Sequence, residues 1–153
     1  MLRMLDLPPV WLGACLLVVR GFDLIMPWGL FGPTGQWVGA SLVALGCCLM
    51  LAAVAQMTLA RTSVIPRRRP SALVTGGIFA LSRNPIYLGD VLILSGAILW
   101  WDVPVAVPLV FGFILLIQHR FILPEERVLR LAFGAAFDDW TGRTARWIGR
   151  NLR

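Results

Sequence analysis

Two polar clusters interrupt an otherwise apolar chain of 153 residues, and their residue types define the chemistry on offer. The first runs Leu73-Val74-Thr75-Gly76-Gly77-Ile78-Phe79 and continues as Ser82-Arg83-Asn84-Pro85-Ile86-Tyr87-Leu88-Gly89-Asp90. Adjacent glycines after a β-branched pair let backbone approach a ligand closely, and Pro85 sets the entrance to a helix. Within two helical turns the segment then offers a cation (Arg83), an amide (Asn84) and a phenol (Tyr87). A structural reading is also open: Ser82 or Asn84 caps the helix while Arg83 reaches lipid phosphate.

The second cluster is Arg120-Phe121-Ile122-Leu123-Pro124-Glu125-Glu126-Arg127. Two adjacent carboxylates at the end of an apolar helix are unfavourable unless they meet cations or donors. Glu125, close behind Pro124 at a helix start, suits the macrodipole, and Glu126 can pair with Arg130 four residues on. That local account serves one carboxylate better than two, whereas a ligand with an ammonium group and hydroxyls serves both. No metal site is indicated. His119 is the single histidine, and Cys15, Cys47 and Cys48 lie in apolar runs without ligand spacing, as small packing residues.

The elements that must position these clusters are membrane helices. Residues of the set AVILMFWYC make up 58% of the chain and charged residues 14%, with a mean hydropathy of +0.78, so an ordinary soluble domain and disorder are both excluded. The net charge of +6 therefore does not read as a nucleic-acid footprint. One domain, 1–153, is expected, and since a bilayer crossing takes about 20 apolar residues the fold class is all-α, a polytopic helical membrane protein with about four transmembrane helices. The spans fall at about 8–31, 37–59, 86–101 and 103–118, leaving a tail over 119–153.

Arg20 and Asp23 lie three apart inside the first span, on one face, where they can pair. That segment lacks a small-residue cleavage motif and further spans follow, so it reads as a span and not a signal peptide. The Pro27-Trp28-Gly29 and Gly32-Pro33-Thr34-Gly35 clusters mark the turn to the second span, with Trp28 and Trp37 suited to the interface. In that span Gly39, Ala40, Gly46, Ala52, Ala53 and Ala55 permit close helix approach, and Gln56 is its one strongly polar side chain. Arg67-Arg68-Arg69, bracketed by Pro66 and Pro70, then breaks the helix. Trp101-Asp102 followed by Pro104 reads as the turn of a helical hairpin whose arms are short, which calls for tilt or a thinned bilayer.

Orientation follows from the arginines. Placing Arg3, the 61–69 loop, Arg83, Arg120 and the tail inside puts 13 of the 14 basic residues there and leaves only Arg20 elsewhere. Both termini are then cytoplasmic, in a bacterial-type inner membrane, with an even number of crossings. In the tail, Leu129, Phe133, Phe137, Trp140 and Trp147 alternate with Arg127, Arg130, Arg143, Arg146 and Arg150. This reads as a C-terminal amphipathic helix against the membrane or capping the bundle, or else as an arginine-rich segment that binds anionic headgroups.

Residues Arg61-Thr62-Ser63-Val64-Ile65-Pro66, Ala72-Leu73-Val74-Thr75-Gly76-Gly77, Ser82-Arg83-Asn84-Pro85-Ile86-Tyr87-Leu88-Gly89 and Pro124-Glu125-Glu126-Arg127-Val128-Leu129 with Phe133-Gly134 are ordered and collinear. Together, over about 55–150, they resemble the isoprenylcysteine carboxyl methyltransferase family of integral membrane enzymes, whose plan the phospholipid N-methyltransferases share. The resemblance implies S-adenosylmethionine as cofactor, in a cytoplasmic pocket without a Rossmann domain. It implies that Val74, Thr75 and Gly76 line the cofactor with backbone and that Arg83, Asn84 and Tyr87 address its polar parts, Arg83 its carboxylate. Glu125 and Glu126 would hold its ammonium or ribose, and Arg120 would face the acceptor or orient the glutamates. The chain departs from the family pattern at Asn84, where histidine is frequent, and at Phe137 and Trp140, where tyrosines are common.

A sulfonium methyl donor carries its own leaving group, so the protein has to align the acceptor and exclude water. A carboxylate acceptor of the isoprenylcysteine type would be positioned by Arg120; an amine acceptor would need a base, and Glu126 is the nearest. Partners are then a lipophilic small molecule or lipid substrate and the membrane lipids, with no nucleic acid. Three alternatives remain: a phospholipid amine N-methyltransferase, a reductase of the sterol-reductase type, for whose NADPH the chain is short, and a non-enzymatic four-helix membrane protein or carrier.

Overall fold

The computed structural model describes residues 6–26, 29–63 and 70–149. Trp28, the Arg67-Arg68-Arg69 run with Pro66, and the terminal Arg3 and Arg150 lie outside them. Six α-helices make up the described fold, with no strand among the described residues: α1 (Pro8–Ile25), α2 (Gly32–Leu59), α3 (Pro85–Trp100), α4 (Val107–Ile117), α5 (Leu123–Phe133) and α6 (Ala135–Arg143). Pro8–Ile25, Gly32–Leu59 and the helical stretch Pro104–Phe133 are long and apolar enough to cross a membrane, and Pro85–Trp100 is a shorter apolar helix. At 16 residues and a rise of ~1.5 Å per residue, α3 extends about 24 Å against a hydrocarbon core of about 30 Å. The molecule is a polytopic helical membrane protein.

The chain divides into two compact units. The first comprises Met1–Cys48 and Gly89–Ile117. Here α2 and α3 meet through glycines: a Cβ on Gly39 would stand 2.5 Å from the Gly96 carbonyl, one on Gly96 2.6 Å from the Gly39 carbonyl, and one on Gly46 2.7 Å from the Gly89 carbonyl. The backbones touch, as the small residues of the second span predict. Arg20 and Asp23 pair as their spacing requires, and the Arg20 guanidinium also lies over the Trp101 ring, 5.9 Å from its centroid.

Helix α2 starts at Gly32, five residues earlier than Trp37, with Pro33 in its first turn. The reason is a distant carboxylate. Asp102 Oδ1 accepts the backbone N–H groups of Leu30 and Phe31, each at 2.8 Å, and Oδ2 accepts that of Gly32 at 3.0 Å. The N–H groups of Phe31 and Gly32 are ones that a helix start leaves without intrahelical partners, that of Leu30 belongs to the turn before it, and a carboxylate there also suits the macrodipole. The N–H of Phe31 foremost, then that of Leu30, holds the Asp102 carboxyl below the ordinary aspartate range.

The second unit comprises Leu49–Leu88 and Gln118–Arg153. Helical backbone does not end at Gln118: residues Gln118–Ile122 form a π-helical turn that leads directly into α5. Pro124 has no N–H to give to the preceding turn, and a widened turn absorbs the missing bond without ending the helix. Ala53, Phe79, Phe137 and Trp140 form the core of this unit, with Leu73, Val74, Ile78, Ile86, Leu129 and Phe133 packed against it. The indole N–H of Trp140 donates to the Phe79 carbonyl at 3.0 Å. Phe137 and Trp140 stack edge to face, 6.0 Å between centroids, so both act as core residues. Gly134, at φ 50°, separates α5 from α6, so the amphipathic tail is two short helices.

Candidate functional site

Within the second unit, the linker ahead of α3, the first turn of α3, α5 and the tail converge on two glutamates. Glu126 lies between two guanidinium groups. Arg83 Nη1 stands 3.1 Å from Glu126 Oε1, while Arg146 donates twice, Nε to Oε1 at 3.0 Å and Nη2 to Oε2 at 2.7 Å. The double donation is the planar fork that arginine alone provides. Glu125 instead accepts the hydroxyl of Tyr87, the chain's single tyrosine, at 2.7 Å. Tyr87 is buried, and its ring lies 6.4 Å from that of Phe121, in the π-turn.

The backbone locks this arrangement. Ser82, buried, accepts the Asn84 N–H at its hydroxyl, 3.1 Å, a local turn ahead of Pro85 and not a cap on the first turn of α3. The Asn84 side-chain amide donates to the Arg146 carbonyl at 3.0 Å. Arg83 N–H donates to the Ala145 carbonyl at 3.1 Å and Gly149 N–H to the Leu81 carbonyl at 2.9 Å, while the Trp147 indole donates to Gln118 Oε1 at 3.1 Å. Residues 144–149 are thus a strap folded onto residues 81–84. Asn84, where a histidine would titrate, here ties strap to linker with an amide that does not.

Burial and charge oppose each other at the two arginines. The Arg83 side chain is 12% exposed; burial, first, and the neighbouring Arg146 and Arg130 pull its guanidinium below the usual arginine range, against the attraction of Glu126. Arg146, 32% exposed, is pushed upward by its hydrogen bonds to Glu126. Arg83 Nε is buried with no hydrogen-bond partner among the described residues. An orphaned buried donor on a cation is what an anionic ligand group would satisfy.

Of the residues marked in the sequence, Arg83, Asn84, Tyr87, Glu125 and Glu126 come together here. Val74 turns its side chain into the core, while Thr75 and Gly76 are exposed. Gly77, at φ 57°, leaves no room for a Cβ beside the Gln56 amide, and Gln56 Oε1 accepts the Ile78 N–H at 3.2 Å. Arg120 is exposed on the π-turn. Two expectations are corrected. Glu126 does not pair with Arg130, which instead meets Asp138 at 2.9 Å, because the i,i+4 option loses to two partners brought by the fold. Nor does Glu125 face a free helix start, since α5 continues the π-turn and Ile122 already has helical torsions. Arg146 is the site residue that sequence reasoning missed; nothing in its spacing separates it from the other tail arginines.

No curated protein and no solved structure matches the chain. A family profile described as phospholipid methyltransferase does match it, over residues 34–136, a range that holds the linker, the Arg-Asn-Pro-x-Tyr helix start and the glutamate pair. The chain therefore belongs to the phospholipid methyltransferase family, whose members are integral membrane methyltransferases.

Proposed function

We propose that the protein is an S-adenosylmethionine-dependent methyltransferase acting on a lipophilic acceptor at the cytoplasmic face of the membrane. The observation that carries this reading is the orphaned Nε of Arg83, set against the Glu125 and Glu126 carboxylates. A guanidinium that pairs with Glu126 yet keeps one buried N–H without an acceptor, with the second carboxylate of Glu125 next in the chain, is the complement of an amino-acid head group, which bears one carboxylate and one ammonium. When bound, S-adenosylmethionine supplies a methyl group on a positively charged sulfur. Arg83 would take its carboxylate, Glu125 and Glu126 its ammonium or ribose, and the exposed backbone at Thr75 and Gly76 its nucleoside part, with Val74 behind them.

Arg146 and Asn84 act through others. Arg146 fixes the Glu126 carboxylate in one plane, and Asn84 holds the strap that carries Arg146. Arg120, exposed at the helix end, would meet the acceptor, a carboxylate of the isoprenylcysteine type being the acceptor a guanidinium suits best; Glu126 would serve as base toward an amine.

Calorimetry with S-adenosylhomocysteine on the detergent-purified protein tests the reading. Binding to wild type, reduced at least tenfold by Glu125→Ala and by Arg83→Ala, is the expected result. No binding to the wild-type protein, or binding by both variants as tight as that of wild type, would leave a reductase or a non-enzymatic membrane protein as the better account.

A further inference from the structure

The adjacent glycines of the linker ahead of α3 do different jobs. Gly76 is exposed at φ −95°, and a Cβ built on it would meet nothing within 4 Å. Gly77 has φ 57°, and the place of its Cβ is taken by the side-chain amide of Gln56, whose Cδ would lie 2.7 Å and whose Oε1 2.9 Å away. Gly77 therefore makes room for a neighbour inside the protein, while Gly76 leaves its backbone open to the outside.

Gln56 is the one strongly polar side chain of α2 beyond Trp37, and an amide on an apolar helix is unfavourable without a partner. Its Oε1 accepts the N–H of Ile78, 22 residues on, at 3.2 Å. The same stretch of α2 supports the contact through packing. Ala53, fully buried, clusters with Phe79, and Met57 and Ile78 pack against that cluster. The short turn Gly77–Ala80 is thus held on α2 by apolar contacts and by one hydrogen bond. Apolar contact is non-directional, so it fixes where the turn lies; the bond to one chosen N–H fixes how the turn is rotated.

We infer that Gln56 is a positioning residue of the ligand site: through Ile78 it sets the rotation of the turn and so the presentation of the exposed backbone at Thr75 and Gly76. That this backbone meets the nucleoside of S-adenosylmethionine rests on the methyltransferase reading. On that reading Gln56 governs the nucleoside half of the cofactor and leaves the amino-acid half to Arg83 and the glutamates.

The experiment separates the two halves. S-adenosylhomocysteine carries the nucleoside and the amino-acid head, and 5′-methylthioadenosine carries the nucleoside without the head. Both are titrated by calorimetry into the detergent-purified protein, and hydrogen exchange over residues 74–80 is followed in the unliganded samples. Gln56→Met keeps the length and loses the acceptor; it should raise exchange over 74–80 with α3 unchanged, and weaken both ligands by the same factor, about fivefold. Gln56→Glu, which retains an acceptor oxygen, should recover most of that loss. Gly77→Ala, which drives the amide off the turn, should weaken both ligands as well, and the double variant Gln56→Met with Gly77→Ala should be no weaker than Gly77→Ala alone, since both changes break one contact. Arg83→Ala should instead weaken S-adenosylhomocysteine and spare 5′-methylthioadenosine. Affinities of Gln56→Met equal to those of wild type, a loss confined to S-adenosylhomocysteine, or Gln56→Glu no better than Gln56→Met would overturn the inference. No binding of either ligand by wild type refutes the methyltransferase reading, and unchanged exchange in Gln56→Met then overturns the positioning role on its own.

Discussion

Glu126 shows how far residue types alone carry the reading. An adjacent carboxylate pair at the end of an apolar helix announces that cations or a ligand must be near, and that much was legible. Which cations was not, because local pairing rules see only the i,i+4 neighbour Arg130, whereas Arg83 and Arg146 arrive from 43 residues before and 20 residues after. The bidentate contact yields a prediction. Arg146→Ala removes both donors to Glu126 and loosens its plane, so S-adenosylhomocysteine affinity should fall about tenfold, which corresponds to about 1.4 kcal/mol. Arg146→Lys keeps the charge but not the fork and should recover only part of the loss. Calorimetry on the two variants decides the point; a lysine variant that binds like wild type would mean that charge, not geometry, matters at this position.

At the scale of elements, the apolar runs forecast the helices and the glycines forecast their close approach, but the ends escaped. The start of α2 at Gly32 depends on Asp102, 70 residues away, and no local capping rule reaches that far. The passage through Pro124 depends on a π-turn, and a proline more often signals a helix start than a widened turn. Two expectations follow. A methyl group on Gly96 would meet the Gly39 carbonyl at 2.6 Å, which is backbone and cannot swing aside, so Gly96→Ala should destabilise by about 1–3 kcal/mol, read as a lower denaturation midpoint in detergent. Asp102 adds a pH dependence of known sign. Its folded carboxyl is held below the ordinary value of 3.8, so its stabilisation is fully present above that value and is lost as pH falls through the lower folded one. Unfolding midpoints of wild type and Asp102→Asn should differ from neutral pH down to about pH 4 and converge in stronger acid. A difference that persisted or widened in acid would contradict the charge-based account.

For the whole molecule, hydropathy identifies a membrane protein, and the placement of arginine sets the expectation of which way the chain crosses. Positive residues remain on the cytoplasmic side because translocating them is unfavourable, and the reading that puts 13 of 14 on one side needs an even number of crossings. Three helical stretches are long enough to cross and α3 is short, so the reading depends on α3 spanning a locally thinned bilayer. If α3 does not cross, the number of crossings becomes odd and the segments on its two sides are no longer separated by it. Cysteine labelling distinguishes the two cases. With Cys15, Cys47 and Cys48 replaced by alanine, single cysteines at Thr34, Thr75, Val105 and Ala136, all exposed positions, are challenged with a membrane-impermeant maleimide in intact cells. The four-span arrangement has Thr34→Cys and Val105→Cys labelled at once, and Thr75→Cys and Ala136→Cys only after permeabilisation. Labelling of Val105→Cys together with Thr75→Cys would remove α3 from the count. Labelling of Thr75→Cys and Ala136→Cys from outside would invert the molecule and with it the side from which a water-soluble cofactor must arrive.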